Sequence, residues 1–512
     1  MHKSLIVMAL ALLGGASAYA SGPYDGKGVP ERWGLAGGKE VSATAATAVE
    51  ETAWWTRFGD PLLDSLVATG LSANYDMAMA TRRIDMARAG VGQARAAYFP
   101  QIGLSASYTR GRNSGRQMSR HGEPTDIGYF NVGAQLSWEI DVFGKIRSRV
   151  KEGEANVRVS RAERAGVETA LAAEIADAYV NLRVMQAELD VARQHALRQD
   201  TALRIAEARH EVGLASMMDV EQARQVYYTT IAQIPLLEGH IHNGVNAISV
   251  LLAAPADSLR AVLEPRRALP GYVQLVEAGT PAEMIRRRPD VRQAEHQIDV
   301  AAAQLGIARK DWLPTLSVSA EAGTVAHNGG DLFSGKSFSW TVAPTLSWTL
   351  FDGLSRRYAT QSAKDALRNA VDNYNLAVLT AVQEADNAMS NYLTELRYID
   401  SLEKLVEASA GYDRRALSNY KNGLSPYINV ADAQMSYLEN VNTLIVAKGQ
   451  ALSSLISLYK ALGYGQADTQ PYTCIGHETH ELQHTRHGNA RRRADRRELV
   501  PPQGRTPRGA DT

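Results

Sequence analysis

Four segments of the 512-residue chain alternate between apolar and polar residues, and they form two pairs about 210 residues apart. In each segment the apolar residues fall on even positions: 102–108 and 130–142 in the first pair, 316–322 and 338–350 in the second. A period of two predicts β-strands with one apolar and one polar face. A half-buried antiparallel sheet in a soluble domain would show the same alternation.

Length and aromatic residues favour strands that cross a membrane. A tilted strand needs ~9–11 residues to span a bilayer, and we predict strands at 101–111, 129–143, 315–326 and 337–351. Aromatic residues near the strand ends suit the girdle that such strands place at the membrane–water interface. The candidate interface aromatics are Tyr98, Phe99, Phe143, Trp312 and Phe351.

Four strands cannot close a membrane barrel on their own. A membrane sheet cannot leave an open edge in lipid, and the smallest known barrels have about eight strands. The barrel must therefore be shared, with eight strands from two chains or twelve from three. Pro344 has no N–H to donate, and we predict a bulge or a weak pairing there, as at a junction between chains.

A very long helical stretch follows each strand pair. Residues 144–211 and 354–422 contain no proline, and the second stretch has a seven-residue apolar repeat that is typical of coiled coils. About 65 helical residues at 1.5 Å each would reach ~100 Å. A soluble domain does not need helices of that length, whereas a structure that crosses an aqueous compartment does.

Each long helix should end in a hairpin. Gly213 and Gly423 fit the turns, Ser216 and Ser425 the N-caps of the returning helices, and Pro426 a first helical position. A shorter helix should precede each strand pair, at about 71–97 and at 281–310. The predicted organisation is an N-terminal equatorial segment at 21–70, a first repeat at 71–254 with its tip at 212–219, a linker at 255–280, and a second repeat at 281–465 with its tip at 422–432.

Both ends of the chain differ in composition from the segments between them. Residues 1–20 have a lysine, an apolar run and an A-x-A site, which predicts a secretory signal peptide. We expect a mature N-terminus near Ser21, without lipidation because no cysteine follows. Residues 466–512 should be a disordered tail. Its Cys474 and four histidines, from His477 to His487, have a spacing that can bind metal, but a solvated extension is the preferred interpretation, with no metal site.

Composition and motifs exclude several function classes. Net charge is zero, so there is no electrostatic case for a nucleic-acid partner. After the N-terminus no run of 18 apolar residues occurs, so no transmembrane helix is predicted. No nucleophile elbow or phosphate loop appears. We therefore expect no enzyme activity and no cofactor.

Several motifs in order carry a family resemblance. They are WWTRFGDPLLDSLVATGLSANYDM, ARAAYFPQIGLSASY, LSWEIDVFGKIRSR, RRRPDVRQAEHQI, ARKDWLPTL, LSWTLFDG and NYKNGLSPYINVADAQ, which together span residues 54–465. In them the chain resembles the outer membrane factors, the TolC/OprM-like family of tripartite efflux systems of the resistance-nodulation-division type.

The resemblance implies a mostly α fold with a transmembrane β-barrel. Three copies would form a twelve-stranded barrel in the outer membrane and a helical tunnel through the periplasm. The partners would be a periplasmic adaptor and an inner-membrane pump, and the channel would export drugs or other small toxic compounds passively. A type I secretion exit duct and a periplasmic helical adaptor or scaffold are the alternatives.

The resemblance also implies a closed periplasmic entrance at the hairpin tips. It places an acidic gate residue at Asp432 and an apolar one at Ile428. Asn429 departs from the many relatives that have a second aspartate there. We take Asp219 as the counterpart of Asp432 in the first repeat, where it is either a gate-region residue or a residue that stabilises a helix start.

Two tyrosines at the same tips leave the interpretation open. Tyr420 and Tyr427 could hold the hairpins closed through hydrogen bonds, or they could simply pack. Gly213 and Gly423 would expose the tips to the adaptor.

Overall fold

A computed structural model describes residues 41–42, 53–113, 125–271, 276–277 and 280–465. The predicted signal peptide, the mature start near Ser21 and the tail at 466–512 lie outside the described residues, as does the cysteine and histidine cluster of that tail.

The alternating segments form one antiparallel sheet in which the strands lie in the order β2-β3-β5-β6. The strands are β2 (Gln101–Asn113), β3 (Thr125–Ile140), β5 (Thr315–Ala326) and β6 (Phe338–Ser347). A short pairing of β1 (Val41–Ser42) with β4 (Val276–Glu277) lies apart from it. β5 coincides with its predicted range. β3 and β6 end three and four residues before the predicted 143 and 351, because the chain turns there into the long helices.

The strand register places apolar residues opposite apolar ones over most of the sheet. Leu104 lies opposite Ala134, and Leu136 opposite Ala320. The polar positions match in the same way, with Gln135 opposite Glu321. Because neighbouring side chains of a strand point to opposite faces, the sheet has one mainly apolar face and one mainly polar face.

Two hairpins of long helices continue from the sheet. The 67-residue helices α3 and α8 each follow a strand pair, and at 1.5 Å per residue each extends ~100 Å. The helices are α1 (Pro61–Ala73), α2 (Tyr75–Ala96), α3 (Lys145–Glu211), α4 (Met217–Leu251), α5 (Ala256–Leu263), α6 (Pro281–Arg287), α7 (Pro289–Lys310), α8 (Ser355–Lys421) and α9 (Ile428–Ala461). Residues 71–97, predicted as one helix, are divided between α1 and α2, because Asn74 ends α1 and caps α2.

The same hydrogen bond fixes the passage from helix to sheet in both repeats. The indole of Trp138 donates to the carbonyl of Tyr98 at 2.9 Å, and the indole of Trp348 donates to that of Trp312 at 3.1 Å. Each bond ties the end of the second strand of a pair to a residue three positions before its first strand. The duplication seen in the sequence is therefore also a duplication of contacts.

The segments outside the repeats pack against the middle of the long helices. Trp54, in a short 3-10 helix at Trp54–Phe58, stacks on Tyr459 of α9 with ring centroids 5.4 Å apart. Arg183 of α3 is fully buried and donates to the carbonyls of Leu263 and Pro265 in the linker, at 3.1 and 3.0 Å. These contacts join the linker to the largest apolar core of the described chain.

One described helix, α9, is long and apolar enough to cross a membrane by length and composition alone. The mean hydropathy of its most apolar 18 residues is 1.2, and 44% of that window is buried. Since α9 forms the returning arm of a hairpin with α8, we interpret it as a packed helix.

Candidate functional site

The hairpin tips are two tight turns, each built on a glycine in the left-handed region. Gly213 has φ 72° and Gly423 has φ 75°, a conformation that is strained for residues with a Cβ. The following N–H groups close the turns, from Leu214 to the carbonyl of Arg209 at 2.7 Å and from Leu424 to that of Asn419 at 2.9 Å. Both glycines are exposed and therefore serve as turn formers at the tips.

The two returning helices begin differently. The Ser216 hydroxyl caps α4 by accepting the N–H of Asp219 at 3.2 Å, as predicted. The predicted cap at Ser425 and the predicted first helical position at Pro426 are both wrong, because α9 begins only at Ile428 and has no side-chain cap. A tight turn precedes it instead, in which the N–H of Val430 donates to the carbonyl of Tyr427 at 2.8 Å. The Ser425 hydroxyl has no hydrogen-bond partner in the described chain.

Asp219 occupies the helix-start position that one alternative predicted. It is half-buried, and its carboxylate accepts from the Ser216 hydroxyl at 3.2 Å. With Gly213 aligned to Gly423, Asp219 matches Asn429, not Asp432. Asp219 is therefore not the counterpart of the acidic gate candidate.

Asp432 is exposed on α9, and a tyrosine of the neighbouring helix holds its carboxylate. The Tyr412 hydroxyl on α8 donates to Oδ2 of Asp432 at 3.1 Å. This hydrogen bond is the main reason that the pKa of Tyr412 is raised. Ile428, 51% exposed, and the exposed Asn429 lie four and three residues before Asp432. That spacing places all three side chains on one exposed face of the helix.

Sequence reasoning missed Tyr412, although a signal was present. Tyr412 and Asp432 are each ten residues from Asn422 at the turn, and residues equidistant from a helix-hairpin turn lie at the same level. The aligned residue in the first repeat is Ala202, which cannot make this bond. The contact therefore belongs to the second repeat alone.

Tyr420 and Tyr427 are packed inside the tip. Their exposed fractions are 2% and 0%, and their rings meet edge-to-face with centroids 5.2 Å apart. Neither hydroxyl has a hydrogen-bond partner in the described chain, and burial raises the pKa of both phenols. Within one chain the geometry thus favours packing over hydrogen bonding. They belong to a tip cluster of Ala202, Leu203, Ala206, Val220, Ala223, Val226, Ala416, Tyr420, Tyr427, Val430, Ala431 and Ala433.

Arg209 joins the two tips and was not predicted. Its guanidinium lies 5.1 Å from the centre of the Tyr420 ring, a cation–π contact. Nη1 donates to the carbonyl of Lys421 at 2.9 Å, and Nη2 to that of Leu214 at 3.3 Å. Arg209 lies on α3 and Lys421 ends α8, so one side chain links the first hairpin to the second.

The predicted interface aromatics lie together at the helix end of the sheet. Phe99 and Phe351 are 69% and 80% exposed, while Tyr98 is half-buried. Phe143 is 42% exposed, and Trp312, 45% exposed, donates its indole N–H to Thr360 at 3.0 Å.

Sequence reasoning missed a second aromatic row at the opposite end of the sheet. The rings of Tyr108 and Phe130 have centroids 4.6 Å apart, and Phe338 is 56% exposed nearby on the same face. A sequence signal was available, because Tyr108, Phe130 and Phe338 all lie on the apolar positions of the period-two pattern.

Potential metal ligands do not cluster in the part of the chain that the structure describes: no group of three His, Cys, Asp or Glu side chains could hold an ion there.

Comparison with known proteins gives one family. The profile of the family described as "Outer membrane efflux protein" matches residues 66–254 and 280–464, which correspond to the two repeats. The chain is 29% identical over 470 residues to "Probable efflux pump outer membrane protein TtgC" of Pseudomonas putida, covering 91% of the chain and 96% of that relative. It is also 29% identical over 401 residues to "Nodulation protein T" of Rhizobium leguminosarum, covering 78% and 84%.

Solved structures give the same result. The fold is similar to that of the outer-membrane channel OprN, with a TM-score of 0.78, 28% identity, and coverage of 86% of this chain and 97% of that one. The outer membrane protein VceC of Vibrio cholerae has a TM-score of 0.72 at 25% identity, with coverage of 81% and 99%.

Proposed function

We propose, from the premise that the chain belongs to the outer membrane efflux protein family, that it is the exit channel of a tripartite pump for small toxic compounds. Members of this family are outer membrane channels whose helical part extends into the periplasm. The sheet lies in the outer membrane, and the long hairpins extend into the periplasm. The channel is a passive conduit.

The cargo is proposed to be small and largely apolar. Relatives of similar identity are named as toluene, solvent and antibiotic efflux pump proteins. Those names favour small-molecule export over a type I secretion duct for proteins. A periplasmic adaptor or scaffold is set aside, since the chain belongs to a family of outer membrane channels.

The proposed partners are inferred from the exposed turns of the two hairpins. The exposed turns at Gly213 and Gly423 would receive a periplasmic adaptor, and an inner-membrane pump would supply the energy. Apolar side chains are exposed around both turns, including Leu214 at 66% and Leu424 at 76%. Exposed apolar groups at a tip are typical of a surface that a partner covers.

The proposed gate is the exposed face of α9 that carries Ile428, Asn429 and Asp432. In a trimer, three Asp432 carboxylates would surround the axis and attract cations. The observation that carries this assignment is that Asp432 is exposed to solvent while Tyr412 fixes its direction. Asn429 supplies no second charge, so one carboxylate per chain would set the selectivity.

The gate is tested by Asp432→Asn in planar bilayers. We expect the ratio of cation to anion permeability to fall roughly threefold, because a ring of carboxylates is a main source of cation selectivity in such pores. Tyr412→Phe should give a smaller fall in this ratio, because the Asp432 carboxylate keeps its charge and loses only the hydrogen bond that orients it.

The matched control is Asp372→Asn, an exposed aspartate on α8. It lies about 50 residues, or ~75 Å, from the tip, and should leave the permeability ratio unchanged. An Asp432→Asn channel with wild-type selectivity would remove Asp432 from the gate.

A further inference from the structure

The outward face of β2 changes from apolar to positively charged along its length. Its even positions are Ile102, Leu104, Ala106, Tyr108, Arg110 and Arg112. Side chains two residues apart in a strand share a face, so the two arginines lie on the same face as the apolar residues. Leu104 is 87% exposed, and both arginines are exposed as well. In a barrel with a wet lumen, this apolar face is the one turned toward lipid.

The two aromatic rows give the depth of these arginines. Trp138 lies at the level of the row at the helix end, because its indole donates to the carbonyl of Tyr98. It is eight residues from Phe130 of the second row on β3, about 26 Å along the strand at ~3.3 Å per residue. With a tilt of about 40°, this spans roughly 20 Å of membrane, close to the ~25 Å apolar band of such barrels. Arg110 comes two residues beyond Tyr108, which lies opposite Phe130. Its level is therefore that of the lipid headgroups.

The end of the sheet that carries Arg110 faces the cell exterior. The helices leave from the other end and extend into the periplasm. The lipid beside Arg110 is thus that of the outer leaflet.

Among the residues that the structure describes, none neutralises either arginine strongly. Arg110 lies opposite Gly128, and no carboxylate of the described residues lies within ion-pair distance of it. Arg112 is 3.7 Å from Asp126, with side chains that are 68% and 79% exposed. An exposed pair of this kind contributes about 0–1 kcal/mol. Both guanidinium groups can therefore bind an external anion.

We propose that Arg110 and Arg112 bind the phosphate groups of outer-leaflet lipid headgroups. A guanidinium is planar and donates two parallel hydrogen bonds to phosphate oxygens, which a lysine does not. The proposal rests on the membrane placement given by the proposed function. It adds a lipid-binding site to the channel, with three copies around a trimer.

The test measures how bis-phosphorylated lipid A protects the full-length trimer against heat. The protein is reconstituted in phosphatidylcholine vesicles with or without lipid A, and its dissociation temperature is followed. We expect lipid A to raise that temperature by several degrees for the wild type. The double variant Arg110→Ala, Arg112→Ala should lose at least half of this rise in dissociation temperature. The double variant Arg110→Lys, Arg112→Lys should show a rise between those of the wild type and the alanine variant.

Arg82→Ala is the matched control, because Arg82 is an 82% exposed arginine on α2 outside the sheet. It should keep the full rise. A double alanine variant that keeps the full rise would overturn the proposal. A rise produced equally by inorganic phosphate would overturn the lipid as the source. Failure of the wild type to insert into either vesicle would instead refute the proposed function.

Discussion

The buried phenols at the tips separate two ways in which a tyrosine can keep a hairpin closed. Tyr427 is fully buried and its hydroxyl lacks a hydrogen-bond partner in the described chain. Replacing Tyr427 by Phe should therefore leave the ion leak unchanged and should not lower the stability, because no hydrogen bond is lost. Tyr427→Ala should cost about 3–5 kcal/mol, because a buried aromatic ring is lost.

Single-channel recording and thermal unfolding measure both effects. If Tyr427→Phe alone increases the leak several-fold, the hydroxyl has a partner in another chain of the trimer.

His195 on α3 makes the stability of the channel depend on pH. It is 5% exposed, and its ring lies 5.1 Å from that of Tyr437. Burial, followed by the positive charge of Arg198, lowers the pKa of His195 to about 4 from an ordinary value of 6.5. The folded protein therefore takes up this proton less readily than the unfolded chain.

Stability from His195 is complete above pH ~6.5 and falls as the pH drops toward 4, by at most about 3 kcal/mol. His195→Gln should flatten the decline between pH 7 and pH 4.5 in thermal unfolding. The pKa of Asp413, also buried, is raised by desolvation. Asp413 thus acts in the opposite direction, because the folded state holds its proton more readily. An unchanged pH slope in His195→Gln would contradict the assignment.

Residue roles were only partly predictable. Ser216 and the turn glycines were found because capping and left-handed turns depend on local chemistry. Tyr412 and Arg209 were missed, because their roles come from neighbouring helices and not from local sequence. The cap at Ser425 failed since Pro426 and Tyr427 form a tight turn that delays the start of α9.

Strand positions were the most predictable elements. A strict period of two fixes both the strand and the face of each residue, and the register of the sheet follows the apolar pattern. The ends were less predictable. Apolar residues such as Val142 and Leu350 continue the alternation but lie in the turns, where Asp141 and Asp352 accept N–H groups from the first turn of each long helix.

The middle of the sheet tolerates no side chain at Gly323. A Cβ there would lie 2.6 Å from the carbonyl oxygen of Val132 and 2.7 Å from Cα of Gly133. Because both are backbone atoms, β3 and β5 would have to separate. Gly323→Ala should therefore destabilise the sheet by about 1–3 kcal/mol and lower the dissociation temperature of the assembled channel.

Gly103→Ala is the matched control on the polar face of β2, since nothing lies within 4 Å of its Cβ position. It should change stability by less than about 0.5 kcal/mol. Equal effects of the two substitutions would show that strand propensity, and not the close approach, sets the cost.

Assembly is a property of the whole molecule that one chain only implies. The sheet ends at β2 on one side and at β6 on the other. Both edges need partners in lipid. Pro344 lies on the edge strand β6 opposite Val318, and the register runs through it without the bulge that was one of the two predictions. The four-strand count excluded a closed barrel from one chain, but it allowed eight strands or twelve; the number of copies came from the family resemblance.

We expect the detergent-solubilised channel to have the mass of three chains. Light scattering with correction for detergent measures it, and heating should release single chains as the inter-chain strand pairs separate. A conducting species with the mass of one or two chains would contradict the trimer.

The paired indole bonds described above, from Trp138 to Tyr98 and from Trp348 to Trp312, bear on how movement spreads through the channel. They clamp each helix–strand passage at the base of the barrel. We therefore expect a twist of the hairpins to be resisted at this level before it reaches the membrane. Because the helices extend ~100 Å from it, a small rotation at their upper ends would become a wide displacement at the entrance.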